Sequence, residues 1–236
     1  MMKDEFLRER IKMWLMYFAF IGILLGVVVL SSCDSHEPVD THVYVGHVLC
    51  DDHSVMSLED YLAQDRVRCV GVVFAEPDDA HGTLAVMLQE AEPLQYADTL
   101  RSVSASTDVT AFDGYNNTVL MSTGSNGHSP LAQYALEHHT FSQSDYIPSC
   151  GELRLLSLSA SRVNQVMAVL KGRHPDMRID LLNLSSEGGR CWYWSSTEDA
   201  VNQKEMAVVV SMSTGGYMPA YKTNHYSSRM VVTVNY

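Results

Sequence analysis

The sequence predicts a mixed α+β domain, with strands at both ends of its folded part and helices in the middle. Three observations predict it. Short β-branched runs stand early, at residues 43–50 (VYVGHVLC) and 68–74 (RCVGVVF). Two capped helix starts, Ser129-Pro130 and Ser149-Cys150-Gly151-Glu152, stand in the middle. Three more strand-forming runs, opening at Trp192, Met206 and Arg229, close the chain.

The elements follow in order. After the first strand, Asp51-Asp52-His53-Ser54 reads as a turn, and Ser57-Leu58-Glu59-Asp60 as a capped start of a helix reaching about Gln64. The strand at 68–74 is apolar throughout and ends before Pro77-Asp78-Asp79; another follows at 83–88. Residues 93–128 are rich in Ser, Thr, Asn, Asp and Gly, without apolar period, and predict long surface loops. Proline at the first helical position opens a helix from Pro130 to about His138. The box at Ser149–Glu152 opens a second helical region. A helix over 162–171, with stripe Val163, Val166, Met167 and Leu170, ends at Gly172. Thr214-Gly215-Gly216 turns the chain before the last strand.

The first residues form a separate segment. Lys3, Arg8, Arg10 and Lys12 make a basic flank, no charge occurs from Met13 to Leu30, and small residues lead into Cys33. That order is a secretion signal, and Leu30-Ser31-Ser32-Cys33 matches the lipobox of bacterial lipoproteins. Residues 1–32 are expected to be cleaved and Cys33 to carry lipid, whose acyl chains hold the protein on a membrane. The competing reading is an uncleaved membrane-spanning helix, since the apolar run is about long enough; both place the rest outside the cytoplasm. Residues 33–45 read as an acidic, flexible tether. An acidic stretch behind the lipid cysteine resembles the surface-export signal of Bacteroidetes lipoproteins, which implies the cell outer membrane and surface exposure.

Composition narrows the partners. The whole chain carries net charge −12, and removing 1–32, with four basic and three acidic residues, makes it −13. No basic patch stands out, so nucleic acid is not expected as a partner. Four cysteines remain after Cys33: Cys50, Cys69, Cys150 and Cys191. An even number outside the cytoplasm permits disulfides. Cys50 with Cys69, each at an expected strand, leaves Cys150 with Cys191; four buried free thiols is the competing reading.

Three segments carry a family resemblance. Ile147-Pro148-Ser149-Cys150-Gly151-Glu152-Leu153 resembles the "LPSxGEL" segment of the family catalogued as domain of unknown function fifteen sixty-six. Tyr193-Trp194-Ser195-Ser196-Thr197-Glu198 matches its "YWSSTE" segment, and Gly46-His47-Val48-Leu49-Cys50-Asp51-Asp52 with Cys69-Val70-Gly71-Val72-Val73-Phe74 resembles its opening. The likeness spans residues 46–236. Arg229-Met230-Val231-Val232 departs from the family's usual close, and Tyr146 stands where a tryptophan is usual. The resemblance implies a C-type lectin-like fold, with two or three helices flanking a small mixed or antiparallel sheet, paired N- and C-terminal strands, and long loops. It also implies an adhesin-like role, with the stretch from Asp199 to Ser228 as a ligand surface that retroelement-diversified relatives vary.

Enzymatic chemistry finds little footing. The calcium-lectin pairs EPN or QPD with WND are absent, and only Cys191 lies where formylglycine-generating relatives carry copper-binding cysteines. There is no GxSxG, HExxH, CxxC or P-loop. His138 and His139 are adjacent and would diverge on a helix by about 100°. No cofactor or metal is expected. The expected function is a non-enzymatic surface lipoprotein whose domain binds an extracellular glycan or protein. Its candidate ligand residues are Asn202, Gln203, Lys204, Tyr217, Tyr221, Lys222, Asn224, His225 and Tyr226, because tyrosines among adaptable polar neighbours suit recognition loops. The competing readings are tyrosines that merely cover the core, a structural or fimbria-associated envelope protein, and an enzyme of unassigned class.

Overall fold

The computed structural model describes residues 12–14, 16, 42–123, 128–137 and 145–234. Cys33, almost all of the signal segment and most of the 33–45 tether lie outside the described residues. Residues 43–45 differ from the tether expectation: Val43 packs against the core, and the Val45 N–H donates to Glu76 Oε1 at 3.3 Å. They belong to the compact unit Val43–Tyr236. Among the described residues no helix is long and apolar enough to cross a membrane.

The folded unit is mixed α and β. Its strands are β1 (Val48–Cys50), β2 (Val55–Met56), β3 (Cys69–Ala75), β4 (Thr83–Gln95), β5 (Trp192–Glu198), β6 (Met206–Ser211), β7 (Tyr217–Tyr221) and β8 (His225–Val234). Its helices are α1 (Leu58–Leu62), α2 (Gly114–Thr123), α3 (Pro130–Glu137) and α4 (Cys150–Arg173), with a 3-10 turn at Glu187–Gly189. The strands form one sheet in the order β2-β1-β3-β4-β8-β5-β6-β7. Every neighbouring pair is antiparallel except β5 and β8.

Alternation along the strands makes two apolar faces, and each takes its own helices. On one face Val48, Val72, Phe74, Val86, Val208, Val210 and Val231 meet the buried stripe of α4. Leu153, Leu156, Val163, Val166, Met167 and Leu170 make that stripe, each at 1 % exposure or less. Their burial is worth about 1.5–3 kcal/mol per side chain. On the other face Leu49, Val73, Ala85, Trp194, Val209 and Val232 meet Met121 of α2 and Leu131, Ala132 and Ala135 of α3.

Several expectations change. The sheet is large, with eight strands where six were expected, because β2 and β7 are strands where a turn region and a loop were read; β4 also runs on to Gln95. The 93–128 stretch holds α2, whose Asn- and Thr-rich sequence hides its period: Asn117, Thr118 and Met121 face inward. The two helical regions after Ser149 are one 24-residue helix that ends at Arg173, one residue past the expected stop at Gly172; between the two regions Ser157 and Ser159 return their hydroxyls to backbone carbonyls and stay helical. The N- and C-terminal strands are not neighbours: β3 and β4 lie between β1 and β8.

The sheet divides at β5. That strand meets β8 at Tyr193↔Ser227 and then diverges. The gap beside β8 is taken by Tyr146, which exchanges both backbone hydrogen bonds with Val231 at 3.0 Å.

Candidate functional site

Two motif segments meet at that division. The Ser196 N–H donates to Pro148 O at 2.8 Å, and the Cys150 N–H to Thr197 Oγ1 at 3.0 Å. Ser195, Ser196, Thr197 and Glu198 are fully buried, so each polar group there needs an internal partner. Ser195 Oγ donates to Val208 O, Tyr96 Oη donates to Ser196 O, and Asn117 Nδ2 reaches Ser196 Oγ. At the head of α4, Ser149 and Glu152 cap each other reciprocally. Gly151 is required there, because a Cβ would stand 2.7 Å from Ala111 O. Burial pushes the Glu152 carboxyl up to about 7. Hydrogen bonds from the Ser149 N–H and the Tyr146 hydroxyl oppose that rise. The seam is closed to solvent and satisfied within itself, so it positions the loops around it.

The nine expected ligand residues fall at the far end of the sheet and in three states: exposed, half-buried and fully buried. Gln203, Lys204, Tyr217, Tyr221, Asn224 and His225 are exposed. Asn202 is half-buried, its amide donating to Glu205 Oε2 at 3.2 Å. Tyr226 is also half-buried, its ring edge-on to Trp194 at 5.0 Å, which makes it a packing residue. Lys222 is a correction: it is 0 % exposed and cannot meet a ligand. Its ammonium pairs with the buried Glu198 carboxylate and donates to Arg101 O at 2.8 Å and Gln203 O at 2.7 Å. The Tyr96 ring lies 5.3 Å away. Burial pulls the Lys222 ammonium below its usual range, and the Glu198 partnership resists this.

Lys222 nevertheless builds the candidate surface. Its Nζ grips the 202–204 loop, and its N–H donates to Glu205 O at 2.9 Å. The loop bearing Asn202, Gln203 and Lys204 is thereby tied to the turn between β7 and β8, while alternation points the Tyr221 ring to the face opposite the Lys222 side chain. Tyr217 lies four residues before Tyr221 on β7, about 13 Å along the strand. The exposure of Tyr217, Pro219 and Tyr221, with Ala220 buried between the last two, puts these three on one outward face. Arg154 of α4 lies 5.8 Å from the Tyr217 ring.

β7 is an edge strand, and the hydrogen-bond phase shows which of its groups face out. The Ser211 N–H donates to Gly216 O, and the Lys222 N–H to Glu205 O. By alternation the backbone groups of Tyr217, Pro219 and Tyr221 then point away from β6. Pro219 has no N–H, so the middle of this edge offers no donor to an added strand. Pro219 and Arg154 were missed in the sequence. A proline between alternating tyrosines was a readable edge signal, whereas nothing local ties Arg154 to Tyr217.

The four cysteines after Cys33 are buried free thiols in this structure. The expected Cys150–Cys191 bridge is excluded by position. The Cys150 N–H meets Thr197, and Cys191 precedes β5, six residues before Thr197 along extended chain, about 20 Å away and far beyond disulfide reach. Cys50 and Cys69 are register partners. A cleft of about 670 Å³, lined by Arg68, Met87, Tyr134, Asp176 and Arg178 among others, lies elsewhere and holds none of the nine expected residues. Among the described residues no cluster of His, Cys, Asp and Glu is arranged to hold a metal.

No known family model matches the sequence, and no curated protein matches it. Among solved structures the chain is similar to a fimbrial protein from Bacteroides ovatus, with TM-score 0.58 and 20 % identity. The match covers 80 % of this chain and 48 % of that one, so the chain spans about half the length of that protein. The likeness is one of fold.

Proposed function

We propose that this chain is a lipid-anchored cell-surface protein whose folded unit binds an extracellular glycan or protein through the outward face of β7 and the loops beside it. One observation carries the reading: Tyr217 and Tyr221, about half exposed at 47 % and 49 %, flank Pro219 on the edge strand β7. Their rings give broad amphipathic contact with little side-chain entropy to lose. Gln203, Lys204, Asn224 and His225 supply hydrogen bonds at one end, and Arg154 at the other. Because Pro219 breaks the edge, recognition runs through side chains and not through an added strand. Anchorage rests on the lipobox at Cys33. The junction of the IPSCGEL and YWSSTE segments supports the proposed C-type lectin-like relationship, while the separation of β1 from β8 counts against its detailed topology.

A second reading, a structural fimbria-associated protein of the outer membrane, is favoured by the fold likeness to the Bacteroides fimbrial protein. One experiment separates the two. Display the chain on cells and measure binding to a glycan array and to extracellular proteins, with and without Tyr217→Ser and Tyr221→Ser together. Both residues are exposed edge positions, so stability should change by under about 1 kcal/mol. Loss of a bound species by tenfold or more supports the tyrosine surface. Assembly into a larger structure that survives both substitutions favours the fimbria-associated reading.

A further inference from the structure

We propose that Cys50 and Cys69 form a disulfide in the exported protein, a covalent staple across β1 and β3. The pairing follows from a local irregularity. Val48↔Val72 and Leu49↔Gly71 set a register that would put Val70 opposite Cys50; the register then shifts and Cys50 faces Cys69. Val70 is the inserted residue of a bulge, and the bulge turns Cys69 onto the face that Cys50 occupies. Both side chains join the α4-side core, at 0 % and 1 % exposure.

The hydrogen-bond phase completes the geometry. The Asp51 N–H donates to Arg68 O, and the Cys50 N–H turns away to Ser54 O, each at 2.9 Å. Cys50 and Cys69 therefore lie at a non-hydrogen-bonded position, where Cα atoms of a regular antiparallel ladder stand about 4.5 Å apart and a bulge spreads them further. That spacing is within the range a disulfide spans, about 4.4–6.8 Å. The bridge would close the loop that holds β2 and α1. That loop is already docked on the end of α4 by Tyr61, whose hydroxyl meets His174 Nε2 at 2.9 Å and accepts the Cys69 N–H at 3.2 Å.

The reaction needs an oxidant, a protein or small-molecule disulfide outside the cytoplasm. One thiolate attacks it to give a mixed disulfide, and the second thiolate displaces the remaining oxidant thiol. The two cysteines lose two protons and two electrons, and the oxidant leaves as two thiols. Burial pushes the folded Cys50 thiol up to about 11 and raises Cys69 as well. The folded dithiol is then a slow nucleophile, and the bridge closes while the chain is still folding.

The proposal rests on the export reading for its oxidant and on the register for its pairing, and two arms separate them. In the first, the full chain is refolded with oxidised and reduced glutathione, alkylated under denaturant before and after reduction, and mapped by mass spectrometry. The expected result is one Cys50–Cys69 linked peptide pair, with Cys150 and Cys191 alkylated without reduction. Its melting temperature should fall on reduction by on the order of 5–10 °C, given a closed loop of about 18 residues. The Cys50→Ala, Cys69→Ala double variant should melt like the reduced chain and ignore reductant. Cys50 and Cys69 both alkylated without reduction, or linked to other cysteines, would overturn the pairing. In the second arm the chain is taken directly from the cell envelope. A bridge found on refolding but absent there, in chain that a protease added outside intact cells can cut, would overturn the proposal; chain shielded from that protease until the cells are lysed would overturn the export reading and leave the pairing standing.

Discussion

Lys222 and Arg229 are both fully buried cations in the C-terminal strand region, and they are held in different ways. Lys222 faces a carboxylate, Glu198, that is itself 0 % exposed, and its other hydrogen bonds go to carbonyls of two loops. Arg229 faces Glu90, whose side chain is 22 % exposed, and its other bonds go to the carbonyls of Met87, Leu88 and Asp180. The Met87 and Leu88 carbonyls lie where the β4–β8 register shifts between Val86 and Glu90. The difference teaches what each charge is for. Arg229 repairs a lapse inside the sheet, and Lys222 ties two loops that the sheet cannot reach. Neither cation is available to a ligand, although Lys222 reads in sequence like a recognition residue.

The largest expected effect tests that contrast directly. Lys222→Ala leaves the Glu198 carboxylate buried without its partner, and should destabilise the fold by about 3–5 kcal/mol. Arg229→Ala should cost less, about 2–4 kcal/mol, because Glu90 can turn to water. Denaturant melts with unchanged slope measure both. Lys222→Met with Glu198→Gln should recover part of the Lys222 loss, since no charge is then left in the interior. A double variant no better than Lys222→Met alone would break the account of Lys222 as a charge-neutralising tie. Equal losses at the two positions would break the contrast.

Glu152 sharpens the comparison, because it is a buried charge-bearing group with hydrogen-bond donors but, among the described residues, no cation paired with it. Burial raises its folded pKa from 4.5 to about 7, against the capping bonds that favour the anion. A carboxyl raised on folding binds its proton more tightly in the native state. Its contribution is therefore fully present below about 4.5 and lost as pH rises through about 7. Stability should fall over that window by on the order of 1–3 kcal/mol. In Glu152→Gln this component of the slope should vanish. An unchanged slope between pH 4.5 and 7 in the variant would show that Glu152 stays ionised and that the cap outweighs burial.

Much of this architecture was legible in sequence, and the illegible parts have physical causes. The capping box at Ser149 and the apolar strands announced themselves because local spacing writes them. α2 did not, since its buried face is Asn117, Thr118 and Met121, and those polar groups are satisfied by partners distant in sequence. β7 read as a loop because Pro219 and the tyrosines obscure a half-exposed alternation. For the candidate site, the exposed tyrosines at 217 and 221 were readable from composition. The burial of Lys222 was not, because Glu198 lies 24 positions away and only the fold brings the two together.

The smallest expected effect removes charge from the comparison altogether. The β5–β6 register also shifts, between Trp194 and Glu198, and there the hydroxyl of Ser195 takes the Val208 carbonyl at 2.7 Å. If buried polar side chains in this protein serve chiefly to satisfy carbonyls where strand pairing lapses, Ser195 does for β6 what Arg229 does for β4, without any ion to desolvate. Ser195→Ala should then cost about 1–2 kcal/mol, the worth of the bond to the Val208 carbonyl together with the longer one, at 3.3 Å, that Ser195 Oγ accepts from the Thr197 N–H. Ser195→Thr keeps the hydroxyl but adds a methyl group at a site that is 0 % exposed, and overpacking there should cost about 1–3 kcal/mol. A neutral Ser195→Ala would mean the carbonyl finds another donor, and the idea that side chains repair the ladder would then hold for Arg229 alone.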